Sequence, residues 1–188
     1  MKIDFTVCVY CGSSCGSNPL HKEAVRAIGA EIAKNNIGIV YGGGGVGMMG
    51  ILADSAIQNN GKVVGIMPEY LITQEAKHEG LSELKIVENI HIRKKLMEDA
   101  ADAFLILPGG IGTLDELFEV LVLKSLEQLE KPVIIFNSEG YFDGVISMIR
   151  KMQEDGFVSV KSGQHFRVAD TVGEVMEMLK EWKIENGK

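Results

Sequence analysis

Short apolar runs that end in turns, each followed by a stretch with a 3.6-residue hydrophobic period, alternate along the whole chain, and this alternation restricts the fold more than any other feature. Runs that are apolar at every position read as strands buried on both faces. Strands are expected at Phe5 to Tyr10, Gly38 to Tyr41, Lys62 to Met67, Lys85 to Val87, Ala103 to Leu107 and Val133 to Phe136, with a weaker one at His165 to Val168. Helices are expected at Pro19 to Lys34, Val46 to Asn59, Ile90 to Ala100, Thr113 to Leu129, Phe142 to Glu154 and Val172 to Trp182. The pattern specifies the α/β class: a doubly wound, Rossmann-like, mostly parallel sheet of six to seven strands flanked by helices. With 188 residues, no Pro/Ser-rich linker and no internal repeat beyond the βα units, one nucleotide-binding domain spanning residues 1–188 is expected. The longest irregular piece, Pro68 to Glu83, is long for a βα connection and marks a functional loop.

Doubly wound sheets bind ligands outside the carboxyl ends of their strands. Glycine concentrates there: Gly42 to Gly45, Gly47 and Gly50 follow the second strand, and Gly109, Gly110 and Gly112 follow the fifth. In the first cluster Gly42, Gly44 and Gly47 make a G-x-G-x-x-G pattern, and two readings stay open. One is direct ligand contact through Gly43 and its neighbours; the other is a tight turn with close helix packing at Gly47 and Gly50. A nicotinamide dinucleotide would use this cluster with Glu69 as the ribose acid, but the motif opens the second βα unit rather than the first. In the second cluster, Pro108-Gly109-Gly110-Ile111-Gly112-Thr113 turns a buried strand into an amphipathic helix and gathers backbone N–H groups around a helix N-terminus, a setting for a phosphate. Thr113 and Glu116 also fit a capping box, with Thr113 at the N-cap and Glu116 at N3, which leaves the three glycines unexplained.

The formal net charge of −7 disfavours a nucleic-acid surface while admitting a single nucleotide phosphate. Asp4 follows Met1-Lys2 almost at once and no apolar stretch approaches membrane-spanning length, so a cytoplasmic protein without membrane association is expected. Cys8, Cys11 and Cys15 have no second pair downstream, and His21, His78, His91 and His165 show no paired ligand spacing; no metal is assigned.

The run Pro108-Gly109-Gly110-Ile111-Gly112-Thr113-Leu114-Asp115-Glu116 resembles the P-G-G-x-G-T-x-x-E motif of the LOG family, the cytokinin riboside 5'-monophosphate phosphoribohydrolases formerly labelled possible lysine decarboxylases. Cys11-Gly12-Ser13-Ser14, Tyr41-Gly42-Gly43-Gly44 and His91-Ile92-Arg93-Lys94 with Met97 stand in the family's order, so the likeness covers almost the whole chain. It implies an N-glycosidase that splits a purine ribonucleoside 5'-monophosphate, AMP or an N6-modified AMP, into free base and ribose 5-phosphate with no cofactor. It implies Glu116 and Arg93 as the catalytic residues, with substrate held by Glu75, Lys94, Met97 and Gly109 to Thr113, Ile111 included. Ser13 and Ser14 either contact the nucleotide or cap the structure after the first βα turn; Met97 either packs against the purine or belongs to the core. As an N3 carboxylate, Glu116 is expected to stay ionised. The helix departs from the family pattern at Leu121 or Val122, where many relatives carry threonine, which leaves the base preference open.

Leu114, Leu117, Phe118, Val120, Leu121, Val122, Leu123, Leu126 and Leu129 make that same helix apolar around most of its circumference, more than one sheet can cover. A partner helix is implied, in agreement with the homodimers or higher homo-oligomers of the family. The alternative to an enzyme is a non-catalytic nucleotide-binding or carrier protein built on the same phosphate cradle.

Overall fold

The structure, a computed structural model, describes residues 4–72, 76–159, 165–185 and 187. Strands β1 (Thr6–Tyr10), β2 (Gly38–Tyr41), β3 (Val63–Pro68), β4 (Glu83–Val87), β5 (Ala103–Ile106), β6 (Val133–Phe136) and β7 (Arg167–Ala169) alternate with helices α1 (Pro19–Lys34), α2 (Gly47–Gln58), α3 (Ile90–Ala100), α4 (Ile111–Ser125), α5 (Asp143–Glu154) and α6 (Val172–Glu185). The alternation breaks after β3, which leads into a short 3-10 turn, Glu69–Leu71, before β4 adds to the sheet edge beside it. All strand pairs are parallel, in the order β4-β3-β2-β1-β5-β6-β7.

The pleat of β1 shows how the sequence builds two cores. Val7 and Val9 face one layer, with Val25, Ile28 and Ile32 of α1, Leu52 and Ala56 of α2, and Val175 and Leu179 of α6. Cys8 and Tyr10 face the other, with Met97 of α3, Leu117 and Val120 of α4, and Ile146 of α5. Burial on both faces is why the central strands are continuous in apolar residues.

Helix starts follow local chemistry. Asn18 caps α1 by accepting from the Leu20 N–H at 3.0 Å, with Pro19 at the first helical position. Asn89 caps α3, accepting from the His91 and Ile92 N–H groups at 3.1 and 3.0 Å. Helix α4 differs from expectation at both ends. It begins at Ile111, two residues before Thr113, and stops at Ser125, where Glu127 turns into the left-handed region at φ 57°.

The strand order reverses between β1 and β5, and the chain joins the two loops that leave this point. The Leu107 N–H donates to the Tyr10 carbonyl at 2.9 Å and the Gly12 N–H to the Pro108 carbonyl at 3.1 Å. The second glycine cluster is thereby fastened to the end of β1.

Leu52 is fully buried between the sheet and α1. Leu52→Ala is expected to lower unfolding free energy by about 2–5 kcal/mol in urea melts, with an unchanged denaturant slope.

Candidate active site

At this switch point lies a cavity of about 330 Å³. The β1 loop contributes Cys11, Gly12 and Ser13, α2 contributes Met49, α3 contributes Ile90, Arg93 and Lys94, and the α4 end contributes Gly110 to Thr113, Asp115 and Glu116.

No side chain caps α4 among the described residues; Gly110 is its N-cap, and the Ile111, Gly112 and Thr113 N–H groups lie at the uncapped end. The capping box expected from Thr113 and Glu116 is therefore corrected: both lie inside the helix, because the two glycines allow it to start earlier. A Cβ at Gly110 or Gly112 would meet nothing within 4 Å. Glycine there leaves the backbone open toward the cavity rather than relieving a clash inside the protein.

Helical side chains lean toward the N-terminus, so Glu116 projects back over the first turn of α4 and into the cavity. Arg93 Nη2 donates to Glu116 Oε1 at 3.2 Å, and each side chain is only 10% exposed. Arg93 Nε is buried with no partner among the described residues. Burial pushes the Glu116 carboxyl up to about 7, against the opposing pull of Arg93. This corrects the expectation of a carboxylate held ionised by the helix dipole: at N6 and out of water, desolvation outweighs it.

Lys94 Nζ contacts Asp115 Oδ2 at 3.0 Å and Glu119 Oε2 at 2.8 Å. Burial alone would lower its ammonium, but Glu119 and Asp115 hold it above the ordinary lysine value. Its charge is thus matched by carboxylates of α4, as that of Arg93 is by Glu116, leaving the helix N-terminus as the group that favours an anion. Burial raises the Cys11 thiol far above the ordinary range, so it lines the cavity as a neutral group. Among the described residues no three His, Cys, Asp or Glu side chains gather where one metal ion could be held.

The first glycine cluster serves this site from behind. A Cβ at Gly42 would collide with Arg93 Nη2, so the glycine provides the space the guanidinium occupies. Gly43 and Gly45 hold the long loop: the His78 N–H donates to the Gly43 carbonyl at 3.0 Å and the Gly45 N–H to the Ala76 carbonyl at 2.6 Å. His78 Nε2 lies 3.0 Å from Asp54 Oδ1 and fastens the same loop to α2.

Residues 49–179 match a family profile described as "possible lysine decarboxylase". A rice (Oryza sativa subsp. japonica) protein named probable cytokinin riboside 5'-monophosphate phosphoribohydrolase LOGL2 is 39% identical over 183 residues, which cover 97% of this chain and 75% of that one. Arabidopsis thaliana cytokinin riboside 5'-monophosphate phosphoribohydrolase LOG1 is 38% identical over 176 residues, 94% of this chain and 83% of its own. The chain belongs to the LOG family. Solved structures extend the likeness of fold beyond LOG proteins. The molybdenum cofactor carrier protein of Chlamydomonas reinhardtii superposes with a TM-score of 0.73 at 16% identity, covering 95% of this chain and 97% of its own. The molybdenum cofactor binding protein of Rippkaea orientalis gives 0.72 at 19%, covering 94% and 96%.

Of the residues that the LOG resemblance pointed to, Arg93, Lys94, Glu116, Gly110, Ile111, Gly112 and Thr113 come together around the cavity. Met97 does not: it is fully buried in the core beside Cys8, Tyr10 and Phe104, so its surroundings are those of a packing residue. Gly43 abuts Leu84 and Met67 on the sheet side, Gly109 packs behind the cavity against Gly12 and Thr113, and the Ser14 hydroxyl accepts from the Gly16 N–H at 3.4 Å. Glu75 lies outside the described residues. Sequence reasoning missed Cys11, Met49 and Ile90 as lining residues, and missed the partners of Lys94. Asp115 and Glu119, four apart on one helix face, carried that last signal.

Because the Glu116 carboxyl sits above its unfolded-state value, the native state binds more protons than the unfolded chain, and stability falls as pH rises from about 4.5 to about 7. Glu116→Gln is expected to flatten that part of the profile, as measured by urea melts at pH 5 and pH 8.

Proposed function

We propose that the protein is a nucleoside 5'-monophosphate phosphoribohydrolase that hydrolyses the N-glycosidic bond of AMP or an N6-modified, cytokinin-type AMP. The observation that carries this reading is the presence, in one cavity, of an uncapped helix N-terminus and a buried carboxylate fixed by an arginine. The names of the rice and Arabidopsis relatives support the same reaction.

The N-terminus of α4 receives the 5'-phosphate through the N–H groups of Ile111, Gly112 and Thr113, aided by the helix dipole. The ribose then lies along the first turn of the helix, beneath Glu116. As the bond from C1' to the purine nitrogen breaks, its electron pair leaves with the base and positive charge builds on C1' and the ring oxygen. An ionised Glu116 stabilises that charge and takes a proton from the attacking water, whose oxygen becomes the anomeric hydroxyl of ribose 5-phosphate. The departing purine takes up one proton, so the hydrolysis balances. A carboxyl that titrates near 7 is suited to accepting and returning a proton at neutral pH. Arg93 keeps the carboxylate in place and offsets part of its desolvation.

The setting fits this role. Ile92 and Leu96 of α3, Ile111, Phe118 and Val122 of α4 and Leu126 just past its end expose apolar surface, which supports pairing with a second copy. The net charge supports a small nucleotide over nucleic acid as partner. Among the described residues no helix is long and apolar enough to cross a membrane, and we place the protein, as one domain, in the cytoplasm.

Wild-type protein is expected to release free base and ribose 5-phosphate from AMP or N6-isopentenyl-AMP in a chromatographic assay. Glu116→Gln should lower kcat by about 10²–10⁴-fold while keeping nucleotide affinity. Tight binding without product by wild type would replace this reading with the carrier function.

A further inference from the structure

Tyr141, which no motif in the sequence singles out, touches the cavity wall from outside. It follows the 3-10 turn Ser138–Gly140 at the carboxyl end of β6, the strand next to β5. Its hydroxyl donates to the Gly109 carbonyl at 2.6 Å. The ring is set between two others: His21 of α1 meets it edge-on at 5.3 Å and Phe142 does the same at 5.0 Å. His21 is buried and Phe142 fully so, and the His21 Nδ1 makes no hydrogen bond among the described residues, so its contact with Tyr141 is packing of rings. The turn itself is held from within, since the Asn137 side chain accepts from the Phe142 N–H at 2.8 Å and donates to Asp143 Oδ1 at 2.9 Å.

The peptide between Gly109 and Gly110 is planar and trans, so its carbonyl and its N–H point in opposite directions. Holding the Gly109 carbonyl toward Tyr141 therefore turns the Gly110 N–H away from Tyr141. Gly110 lines the cavity and Gly109 does not. A peptide flanked by two glycines is also the one in this loop most free to rotate, because the rotation changes ψ of the first residue and φ of the second, and neither carries a Cβ. Nothing else in the hydrogen-bond pattern of the described residues engages the Gly109 carbonyl.

We propose that Tyr141 is a positioning residue for the phosphate subsite: by fixing the Gly109–Gly110 peptide it presents the Gly110 N–H, in line with those of Ile111 to Thr113, to the 5'-phosphate of the substrate. His21 and Phe142 keep the phenol ring in the orientation this requires. The role rests on the reading of the α4 N-terminus as the phosphate site, and it concerns affinity for the phosphate rather than the chemistry at C1'.

The test is Tyr141→Phe in the full chain, which keeps the ring contacts and removes only the hydroxyl. In steady-state assays KM for AMP is expected to rise about three- to tenfold with kcat within about twofold, the loss of one hydrogen bond's worth of binding. In calorimetry on the Glu116→Gln background, which slows turnover, Tyr141→Phe should weaken AMP by the same factor and leave adenosine, which lacks the phosphate, unchanged. Equal weakening of AMP and adenosine, a fall confined to kcat, or no change in either would overturn the positioning role. AMP bound no tighter than adenosine before Tyr141 is altered would overturn the phosphate reading itself, and the proposal with it. The ratio of the two affinities stays decisive even if the variant melts at a lower temperature, because partial unfolding weakens both ligands alike.

Discussion

Glu116 is kept out of water, and the arrangement around it derives from that constraint. A buried carboxylate needs a matched charge, and Arg93 supplies it from a different helix, 3.2 Å away. Guanidinium and carboxylate together require a space that neither helix provides alone, and Gly42 leaves that space at the end of β2. Buried ion pairs of this kind add little net stability, because the attraction between the partners is offset by the loss of hydration. Here the pair holds in one orientation a carboxyl that burial poises near neutrality, as the proposed proton transfer at a glycosidic bond requires.

The two glycine clusters serve this constraint in opposite ways. Behind the site, glycine is demanded by the protein itself, since Gly42 faces the Arg93 guanidinium and the backbone of Gly43 and Gly45 carries the residues around His78. At the front, Gly110 and Gly112 face open space, so their lack of side chains matters to something outside the chain. In the linear sequence both clusters read alike, as glycine-rich turns between a strand and a helix. The distinction appears only in what a Cβ would strike: the protein's own atoms at Gly42, Gly43 and Gly45, and nothing within 4 Å at Gly110 and Gly112.

Much of the architecture was legible in the amino-acid order. The bounds of α1, α3, β2 and β6 coincide with the residues expected from hydrophobic period, and in the structure Asn18 with Pro19 and Asn89 fix the two helix starts locally. Helix α4 was misplaced at its start for a local reason as well. Thr113 and Glu116 satisfy the spacing of a capping box, yet Gly110 and Ile111 already adopt the geometry of a helix start, and cap competition is decided by backbone conformation. Met97 shows the limit of spacing arguments: four residues after Arg93 it shares a helix face, but that face is wide enough for one residue to reach the cavity and the other to enter the core.

What the sequence determined by itself was the class of fold and the location of the glycine-lined helix N-terminus, because these rest on periodicity and glycine placement, while the pair Arg93 and Glu116 was reached only through the resemblance to the LOG family. What only the tertiary structure decided was protonation and partnership. The Glu116 carboxyl is raised because the fold buries it, and the Lys94 ammonium is kept charged and paired because Asp115 and Glu119 of α4 meet it. Tyr141 reaches Gly109 across 32 positions of sequence because β6 lies beside β5. Desolvation and pairing depend on which groups are brought together in space, and no local pattern of residues encodes that distance.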